Sequence, residues 1–511
     1  MSRVRVVQGE KTEEFLAKSD ESLLDVLRRN GVSVAAPCGG NGTCGKCRVT
    51  LRRGDTEEAV LACRTAAEED CEVLLEEADG GVICTDGTAE PLAADGSKTG
   101  LGAAVDLGTT TVAVKLFDLS DGTEMGSRSG WNTQAPYGGD VITRCQFCME
   151  HEDGLGALSG LICRQITDMV ETICGENGRK AQDVKELFIA GNTVMQHIAA
   201  GLSPAGIAVA PFTPVTLFDD GGMYEMGVFS VRYAPCVAGY VGGDITAGLL
   251  SAGLNRQKGL SLFLDVGTNG EMALGGEAGF LCCAVASGPA FEGAGITCGM
   301  ASTPGAISHV YWNGSEPVLD VIGGGEAKGI CGSGLLDLLA MLLELGIVDE
   351  SGYLLPPEDA PEGFEAWLEE DEDGNGCFWL TDEVYFTAAD VRQLQLAKAA
   401  VAAGISVLMR EAGVNFDGID QLVLAGGFGS HMSARSAVTL GMLPEALLER
   451  VVCVGNSSLT GASMALLNEE RQAELMEIQR KCKYLELSGN SMFNQLFPEH
   501  MTFDKEEFPW N

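Results

Sequence analysis

Hydrophobic and polar residues alternate along the first 75 residues in a pattern that predicts strands around one helix. VRVVQGE at 4–10, CRVTLRRGD at 47–55 and CEVLLEE at 71–77 carry apolar residues at nearly every second position, which is typical of half-buried strands. EEFLAKSDESLLDVLRRNGV at 13–32 has apolar residues at helical spacing around Ser and Asp residues suited to capping. This stretch predicts a capped amphipathic helix, and the whole region predicts a small α+β domain.

After residue 77 the hydrophobic pattern is lost over a short stretch, and the rest of the chain then contains a pattern that occurs twice. Residues 78–101 are rich in Gly, Ala, Asp, Ser and Thr and show little apolar periodicity, which is typical of a linker. Beyond them, three blocks recur in the same order, so we predict two lobes that share one fold, the second with the longer insertion. The matching blocks are 103–122 with 262–276, 186–202 with 421–437, and 234–254 with 451–468.

These patterns divide the 511 residues into five segments. The length is ample for several domains with cores of their own. The predicted segments are an N-terminal domain over 1–85, a linker over 86–101, a first lobe over 102–256, a second lobe over 257–470, and a C-terminal tail over 471–511 that packs on the second lobe.

Composition excludes several classes of function. The chain has 33 Lys and Arg against 73 Asp and Glu, a formal net charge of −40 that repels nucleic acids and anionic lipids. No apolar run reaches the roughly 18–20 residues that span a membrane, and the N-terminus lacks the apolar core of a signal peptide. A chain of this kind with 18 cysteines is expected to keep them as reduced thiols or metal ligands. We therefore expect a cytoplasmic protein that binds neither nucleic acid nor membrane.

One glycine-rich loop carries a cluster of cysteines with the spacing C-x5-C-x2-C. Its cysteines are Cys38, Cys44 and Cys47, and Cys63 follows in VLACRT. Glycines allow the loop to wrap closely and bring backbone N–H groups to the sulfur atoms of an iron–sulfur cluster. Four cysteines can also bind zinc. Cys71 is an alternative fourth ligand, although burial in a strand also explains it.

The loop resembles that of [2Fe–2S] ferredoxins, as a variant of the plant-type spacing. With the strands and helix that flank it, the resemblance implies a β-grasp fold and a [2Fe–2S] cluster. Zinc sites more often use two C-x2-C pairs. The resemblance assigns the ligands Cys38, Cys44, Cys47 and Cys63. Fifteen residues separate Cys47 from Cys63, fewer than in typical plant-type ferredoxins, which makes the fourth ligand the one that departs from the pattern.

Each lobe begins with an apolar strand that ends in Asp-x-Gly-Thr, in AAVDLGTT and LFLDVGTN. Backbone N–H groups and Thr hydroxyls at such a turn suit phosphates, and the carboxylate suits Mg²⁺ directly or through water. A later strand is followed by AGGFGS, whose glycines let the backbone pass close to a flat ring and open a helix. The chain has no GxxxxGKS/T loop that would indicate another nucleotide fold.

These motifs resemble the actin/sugar-kinase/Hsp70 superfamily of ATP-binding proteins. The resemblance implies two duplicated ribonuclease-H-like lobes, an α/β fold that binds ATP with Mg²⁺ between them. The matching positions are Asp106, Gly108, Thr109 and Thr110 in the first phosphate motif, Asp265, Gly267, Thr268 and Asn269 in the second, and Gly426, Gly427 and Gly429 in the adenosine motif.

A ferredoxin joined to such an ATPase resembles the reductive activators of corrinoid proteins. The resemblance covers nearly the whole chain and implies ATP-dependent return of Co(II) corrinoid to Co(I) in anaerobic methyl transfer. The implied partners are a corrinoid protein of a methyltransferase system and a low-potential electron donor, and a homodimer is compatible with the sequence. The strings that carry it are NTQAPYGGDVITR at 132–144, GNTVMQH at 191–197, ASGPAFEGAGI at 286–296 and GICGSGLLD at 329–337.

Several residues keep two interpretations. Asp140 and Asp244 each follow two glycines, so they are either helix caps or acids that position Mg²⁺ or water for catalysis. Gln134 either orients a water or is a structural polar residue. The alternative functions are a small-molecule kinase with a redox-regulatory ferredoxin domain, and an activator of a 2-hydroxyacyl-CoA-dehydratase-like enzyme. In that second alternative, Cys298 and Cys331 would bridge a [4Fe–4S] cluster across a dimer.

Overall fold

The computed structural model of the chain describes three groups of elements, one at the N-terminus and two that follow the linker region. The first contains a five-stranded sheet, and each of the others contains a six-stranded sheet. The described residues are 2–8, 11–18, 21–30, 32, 34, 47–53, 56–67, 70–75, 92–371, 374–504 and 510.

The N-terminal group is a β-grasp domain in which one helix packs against a mixed sheet. Its elements are β1 (Arg3–Gln8), β2 (Lys11–Leu16), α1 (Leu23–Arg29), β3 (Arg48–Arg53), β4 (Thr56–Leu61) and β5 (Cys71–Leu75). The strand order is β2-β1-β5-β3-β4, with β1 and β5 parallel at the centre. Val4 and Val6 are buried and alternate with the exposed Arg3 and Arg5, and they share a core with Leu24 and Leu27 of α1. The predicted ferredoxin fold is confirmed.

One sequence-based expectation in this domain is wrong. The stretch from 13 was predicted to be helical, but Lys11–Leu16 forms β2 and the helix begins only at Leu23. β2 pairs antiparallel with β1 along its whole length. Pairing with β1 therefore decides the structure of this stretch, although its apolar residues fit a helical pattern. Strand formation depends more on the neighbouring strands than on the local sequence.

The first lobe places helices around a six-stranded sheet in the order β10-β11-β9-β6-β7-β8. The strands of the lobe are β6 (Leu101–Leu107), β7 (Thr111–Asp118), β8 (Glu124–Trp131), β9 (Val184–Gly191), β10 (Tyr224–Met226) and β11 (Phe229–Tyr233). The helices are α2 (Val141–Glu150), α3 (Gly154–Glu176), α4 (Thr193–Ala199), α5 (Ala205–Ala208) and α6 (Gly243–Ser251).

The second lobe repeats this sheet in the order β22-β21-β12-β13-β14-β23 and adds two three-stranded sheets. Its strands are β12 (Leu260–Val266), β13 (Asn269–Gly276), β14 (Gly279–Ala286), β15 (Ala306–Trp312), β16 (Pro317–Val321), β17 (Gly329–Ile330), β18 (Leu368–Glu370), β19 (Gly376–Trp379), β20 (Tyr385–Thr387), β21 (Ile419–Ala425), β22 (Val451–Cys453) and β23 (Cys482–Tyr484). Its helices are α7 (Gly332–Glu344), α8 (Ala388–Ala412), α9 (Gly426–His431), α10 (Ala434–Thr439), α11 (Ser457–Leu467), α12 (Glu469–Lys481) and α13 (Ser491–Glu499).

Matching strands of the two lobes pair in the same way. β6–β7–β8 and β12–β13–β14 are both antiparallel meanders, and β9 and β21 each lie parallel to the first strand of their meander. β11 and β22 extend the sheets from β9 and β21. The duplication predicted from the sequence is therefore confirmed, and the two small sheets occupy the longer insertion of the second lobe.

A shared core joins the lobes through α6 and α11, the last helix of each repeated unit. The two helices pack together, and their core includes Phe117 and Phe188 of the first sheet and Phe263 of the second. A Cβ atom built on Gly461 of α11 would overlap the carbonyl oxygen of Ala247 in α6. The helices therefore cross with their backbones in contact, which requires glycine at this position.

The C-terminal segment contacts the second lobe along much of its length. β23 adds to the edge of the large sheet beside β14, and α13 packs on α8. Lys398 of α8 donates to the carbonyl oxygen of Thr502 at 2.5 Å, and Ser406 lies 2.9 Å from His500. None of the helices described here combines the length and the apolar character that crossing a membrane requires.

Candidate functional site

A cleft of about 500 Å³ lies between the lobes, and both Asp-x-Gly-Thr-type turns line it. Most of the residues predicted to bind nucleotide line this cleft: Asp106, Gly108, Thr109, Thr110, Asp265, Gly267, Thr268, Asn269, Gly426 and Gly427. Gly429 does not, because it is buried on the side of α9 that faces Leu424.

The first turn is fixed by the start of α11. Asp106 lies near the end of the buried strand β6, and its carboxylate accepts hydrogen bonds from Asn456 Nδ2 at 2.9 Å and Ser458 Oγ at 2.7 Å. Asn456 also caps α11 by accepting from the N–H of Leu459. Neither Asn456 nor Ser458 can be recognised from the sequence, because contacts across about 350 residues leave no local pattern.

The second turn is built against the glycine-rich start of α9. Asp265 lies near the end of β12, directly opposite Glu271 in the antiparallel register with β13. A Cβ atom on Gly426 would overlap Oδ1 of Asp265, and Gly426 has φ of +79°. Both the close approach and the left-handed backbone therefore require glycine at the first position of AGGFGS.

Acidic side chains meet in the middle of the cleft. Burial, with a smaller contribution from the charge of Asp106, raises the pKa of Asp265 to about 7. Burial and then the charge of Asp265 raise the pKa of Asp244 to about 7. The pKa of Glu271 is also raised well above its usual range, first by burial and then by Asp244 and Asp265. These shifts follow from several carboxylates that share one poorly hydrated space.

The donor set of the cleft fits a divalent cation that arrives with phosphate. Among the described residues that line the cleft, there is no Lys or Arg to neutralise its carboxylates. The described part of the chain also contains no ready-made group of three His, Cys, Asp or Glu ligands. Mg²⁺ commonly binds through one or two carboxylates together with water and substrate phosphates, which matches this arrangement.

Glu292 connects the two phosphate turns and was missed by the sequence analysis. Its carboxylate accepts hydrogen bonds from Thr110 Oγ1 at 3.1 Å, Thr268 N at 3.2 Å and Thr268 Oγ1 at 2.8 Å. Thr110 belongs to the first lobe and Thr268 to the second. Glu292 is part of the quoted string at 286–296, but nothing in that string alone relates it to either turn.

Arg144 supports the first phosphate turn from behind. Its side chain is buried and donates to the carbonyl oxygens of Thr109 at 2.6 Å and Gly138 at 3.0 Å. It also donates to Gln134, whose amide in turn donates to the carbonyl oxygen of Leu158. Gln134 is therefore a buried structural residue in this arrangement.

The two acids that follow glycine pairs have different positions. Asp140 is the N-cap of α2, where its carboxylate accepts from the N–H of Thr143 at 2.8 Å and the Thr143 hydroxyl completes a capping box. Asp244 lies within the first turn of α6, whose N-cap is Gly242, and its side chain lines the cleft. Capping thus accounts for Asp140, whereas Asp244 belongs to the acidic group of the cleft.

One wall of the cleft suits a flat ring. Phe428 of α9 stacks on Phe291, with ring centroids 4.8 Å apart, and Gly427 leaves the adjacent surface open. His309 lines the same region and lies 2.8 Å from Asp337, which also accepts from a serine of α10. Aromatic and apolar walls with a few polar groups are typical of nucleotide-sized sites.

The cluster region is described for two of its four predicted cysteines. The backbone N–H of Cys63 donates to Sγ of Cys47 at 3.5 Å, the type of contact that stabilises a cluster thiolate. Cys38 and Cys44 lie outside the described residues. Cys71 is buried in β5 within the core of the domain, where burial raises the pKa of its thiol. The position of Cys63 beside Cys47 fits a shared cluster, whereas Cys71 behaves as a core residue.

Cys298 and Cys331 have different environments. Cys331 is buried at the start of α7, and its sulfur lies 3.4 Å from the hydroxyl of Ser333. Cys298 is half-buried, and its sulfur accepts from the N–H of Tyr385 at 3.5 Å. Burial of Cys331 beside the cleft makes it unsuited to a cluster that two subunits would hold between their surfaces.

Family comparisons match three consecutive parts of the chain. Residues 6–68 match the 2Fe-2S iron-sulfur cluster binding domain, residues 101–257 match the RACo middle region, and residues 259–510 match the C-terminal domain of RACo, the ASKHA domain. These matches confirm the predicted iron–sulfur domain and the actin-like ATPase fold.

Similar proteins extend over most of the chain. Corrinoid activation enzyme RamQ of Eubacterium limosum is 31% identical, covering 79% of this chain and 70% of its own. The Co(II) methylated amine-specific corrinoid protein reductase of Methanosarcina barkeri is 24% identical, covering 80% of this chain and 78% of its own. A solved reductive activator for corrinoid, iron-sulfur protein is 30% identical over the full length of both chains, with a TM-score of 0.71. The chain therefore belongs to the RACo family, in which an iron–sulfur domain precedes an ASKHA domain.

Proposed function

We propose that this protein is an ATP-dependent reductive activator that passes one electron through a [2Fe–2S] cluster and returns a Co(II) corrinoid protein to Co(I). The observation that carries the proposal is that two equivalent phosphate turns face one cleft in a chain that also carries a ferredoxin domain. The names of the relatives, a corrinoid activation enzyme and a Co(II) corrinoid protein reductase, support the same function.

Mg-ATP would bind across the cleft. The hydroxyls of Thr110 and Thr268 and the backbone of both turns would donate to phosphate oxygens, and the base would lie against Phe428. Asp106 and Asp265 would hold Mg²⁺ directly or through water. A divalent cation is required here because a triphosphate and several buried carboxylates would otherwise repel each other.

The ferredoxin domain would hold its cluster on Cys38, Cys44, Cys47 and Cys63. When bound, this group supplies a one-electron carrier. The N–H of Cys63 that donates to Cys47 Sγ favours negative charge on that sulfur and helps to set the reduction potential.

ATP is needed because the last electron moves uphill. A plant-type [2Fe–2S] centre has a potential near about −400 mV, and the Co(II)/Co(I) couple of a protein-bound corrinoid lies lower. Each ~59 mV costs tenfold in the equilibrium constant of a one-electron transfer. Lobes that change their relative position with nucleotide provide a means of altering the cobalt environment of a bound partner.

The proposed partners follow from charge and redox chemistry. A net charge of −40 suits a corrinoid protein with a positive docking surface, since complementary charges steer association. A low-potential reductant would load the cluster. A chain with 18 cysteines and such a reductant fits the cytoplasm of an anaerobic cell.

The test is anaerobic conversion of a Co(II) corrinoid protein to Co(I), followed by its visible spectrum. Wild-type protein with reductant and Mg-ATP should convert the partner, and omission of either should prevent conversion. ATP hydrolysis should rise when the corrinoid protein is added. Full conversion without nucleotide would contradict the proposal and would favour the small-molecule kinase.

A further inference from the structure

Glu292 lies where the two phosphate turns come together. It ends the short turn Pro289–Glu292 after β14, and glycines with positive φ stand at both ends, Gly288 at +76° and Gly293 at +75°. Its carboxylate accepts from one donor of the first lobe, Thr110, and from two donors of Thr268 in the second lobe. One acidic side chain thus links both lobes at the phosphate end of the cleft.

The donors that Glu292 uses are those that a phosphate would need. A hydroxyl or amide hydrogen donates one strong hydrogen bond at a time, and carboxylate and phosphate oxygens are equivalent anionic acceptors. Thr110 and Thr268 stand on opposite lobes of the cleft, so a phosphate that spans both turns must take its hydrogen bonds from these donors. Glu292 and a terminal phosphate therefore compete for the same donors.

We propose that Glu292 is the residue by which the cleft distinguishes a nucleoside triphosphate from a diphosphate. The terminal phosphate takes the donors of Thr110 and Thr268, and repulsion between like charges moves the carboxylate away. A diphosphate leaves the link between Glu292 and the two turns intact. The inference rests on the proposed nucleotide site and adds to it a residue that senses the third phosphate.

The neighbours of Glu292 provide a path for this displacement. Phe291 stacks on Phe428 of α9, and its carbonyl oxygen occupies the space that a Cβ atom on Gly332, at the start of α7, would need. Further along the same segment, the N–H of Thr297 donates to Asp390 at the start of α8 at 2.7 Å. A shift of the turn between Gly288 and Gly293 would therefore reach α9 and α7, and through the residues that follow Gly293 it would reach α8.

The experiment is calorimetric titration of the purified, cluster-loaded protein with Mg-ATP and with Mg-ADP. Glu292→Ala and Glu292→Gln should bind ATP about tenfold more tightly than wild type, because hydrogen bonds to a charged acceptor no longer have to be broken first. ADP affinity should stay within about twofold, as the diphosphate does not reach these donors. The readout is the ratio of the two affinities, which a general loss of structure would not change in this direction.

A matched control removes the same charge elsewhere in the lobe. Glu277 is exposed on the turn between β13 and β14, and Glu277→Gln should leave both affinities unchanged. Glu292→Asp keeps the charge but is one methylene shorter, so it should weaken the link and give an intermediate ATP affinity. If Glu292→Ala unfolds, the Gln and Asp variants still provide the comparison.

Three outcomes would overturn the proposal. If wild type binds both nucleotides and Glu292→Gln has the same ratio of ATP to ADP affinity, the proposed role of Glu292 is rejected. The proposed nucleotide site is not affected by that result. Wild-type ATP affinity combined with lost hydrolysis would make Glu292 a residue that positions the attacking water. Absence of nucleotide binding in wild type itself would reject the proposed function together with this inference.

Discussion

At the scale of single residues, the acids of the cleft destabilise one another until a cation is present. Burial first, and then repulsion from neighbouring acids, raise the pKa of Asp244 and Asp265 to about 7, and they also raise the pKa of Glu271 well above its usual range. A bound cation favours the ionised form of such groups. Binding of nucleotide with Mg²⁺ would thus relieve the repulsion among these carboxylates. Nucleotide binding should therefore also stabilise the folded cleft.

We expect Asp265→Asn to raise the free energy of unfolding above pH 7 and to weaken Mg-ATP binding at least about tenfold. An acid whose pKa rises on folding binds its proton more tightly in the folded chain, so stability falls as pH rises from about 4 to about 7. The neutral amide avoids this loss, which amounts to about 1.4 kcal/mol for each unit by which folding raises the pKa. Urea unfolding below and above this range, with calorimetry of Mg-ATP, measures both effects.

The control for this variant is Asp320→Asn, which neutralises an exposed acid on β16 in the same lobe. It should leave stability and nucleotide affinity at their wild-type values. If Asp265→Asn and wild type showed the same dependence of stability on pH, the electrostatic account of the cleft would be wrong.

The fourth cluster ligand can be assigned by comparing two cysteines. Cys63→Ser should abolish the visible spectrum of the [2Fe–2S] cluster, because the Cys63 backbone already contacts Cys47 Sγ. Cys71→Ser should keep the spectrum and about two irons per chain, while stability falls because a hydroxyl replaces a buried thiol. Iron analysis and absorption spectra decide between them, and the opposite result would make Cys71 the ligand. One zinc per chain without visible absorbance would reject the cluster itself.

At the scale of elements, local patterns predicted what is set locally. Alternating residues predicted β1, β3 and β5, and the repeated blocks predicted that β6 and β12 each end at an Asp-x-Gly-Thr turn, and both turns line the cleft. The strand β2 was missed, since its pairing with β1 decides its structure. Glu292, Arg144 and Asn456 were missed for a related reason: their partners are distant in the chain, and a single sequence records no distances.

The crossing of α6 and α11 leads to a prediction about an element contact. Gly461→Ala would place a methyl group against the backbone of Ala247, so the helices must separate, at a cost of about 1–3 kcal/mol. Because this contact joins the lobes, Mg-ATP affinity should fall as well. Denaturant unfolding and calorimetry on the same variant measure both quantities.

Gly175→Ala is the matched control for the helix crossing. Gly175 lies in α3, and a Cβ atom there meets nothing within 4 Å. This variant should be neutral or stabilising by up to about 1 kcal/mol, because alanine has the higher helix propensity. Equal stability of Gly461→Ala and Gly175→Ala would show that the crossing tolerates a side chain and is not a tight contact.

At the scale of the whole molecule, the nucleotide cleft depends on both lobes at once. Asp106 of the first lobe is held by residues at the start of α11, and Glu292 of the second lobe is bound to Thr110 of the first. α6 and α11 share a core with both large sheets. A change in a nucleotide bound there would therefore act on contacts between the lobes, as an activator that acts on a bound partner requires.

The last prediction is that the two chemical functions of the chain are separable but both necessary. Cys47→Ser should keep ATP hydrolysis but lose electron delivery, because three thiolates do not hold a competent cluster. Asp265→Ala should keep a cluster that dithionite reduces, yet fail to convert a Co(II) corrinoid protein to Co(I). Cys453→Ser, at an exposed position of β22, is the control that should retain both activities.

Conversion by Asp265→Ala at the wild-type rate would mean that the lobes do not drive the transfer. Loss of hydrolysis in Cys47→Ser would mean that the ATPase cannot work without the cluster, so the chain would act as one unit and not as two coupled ones.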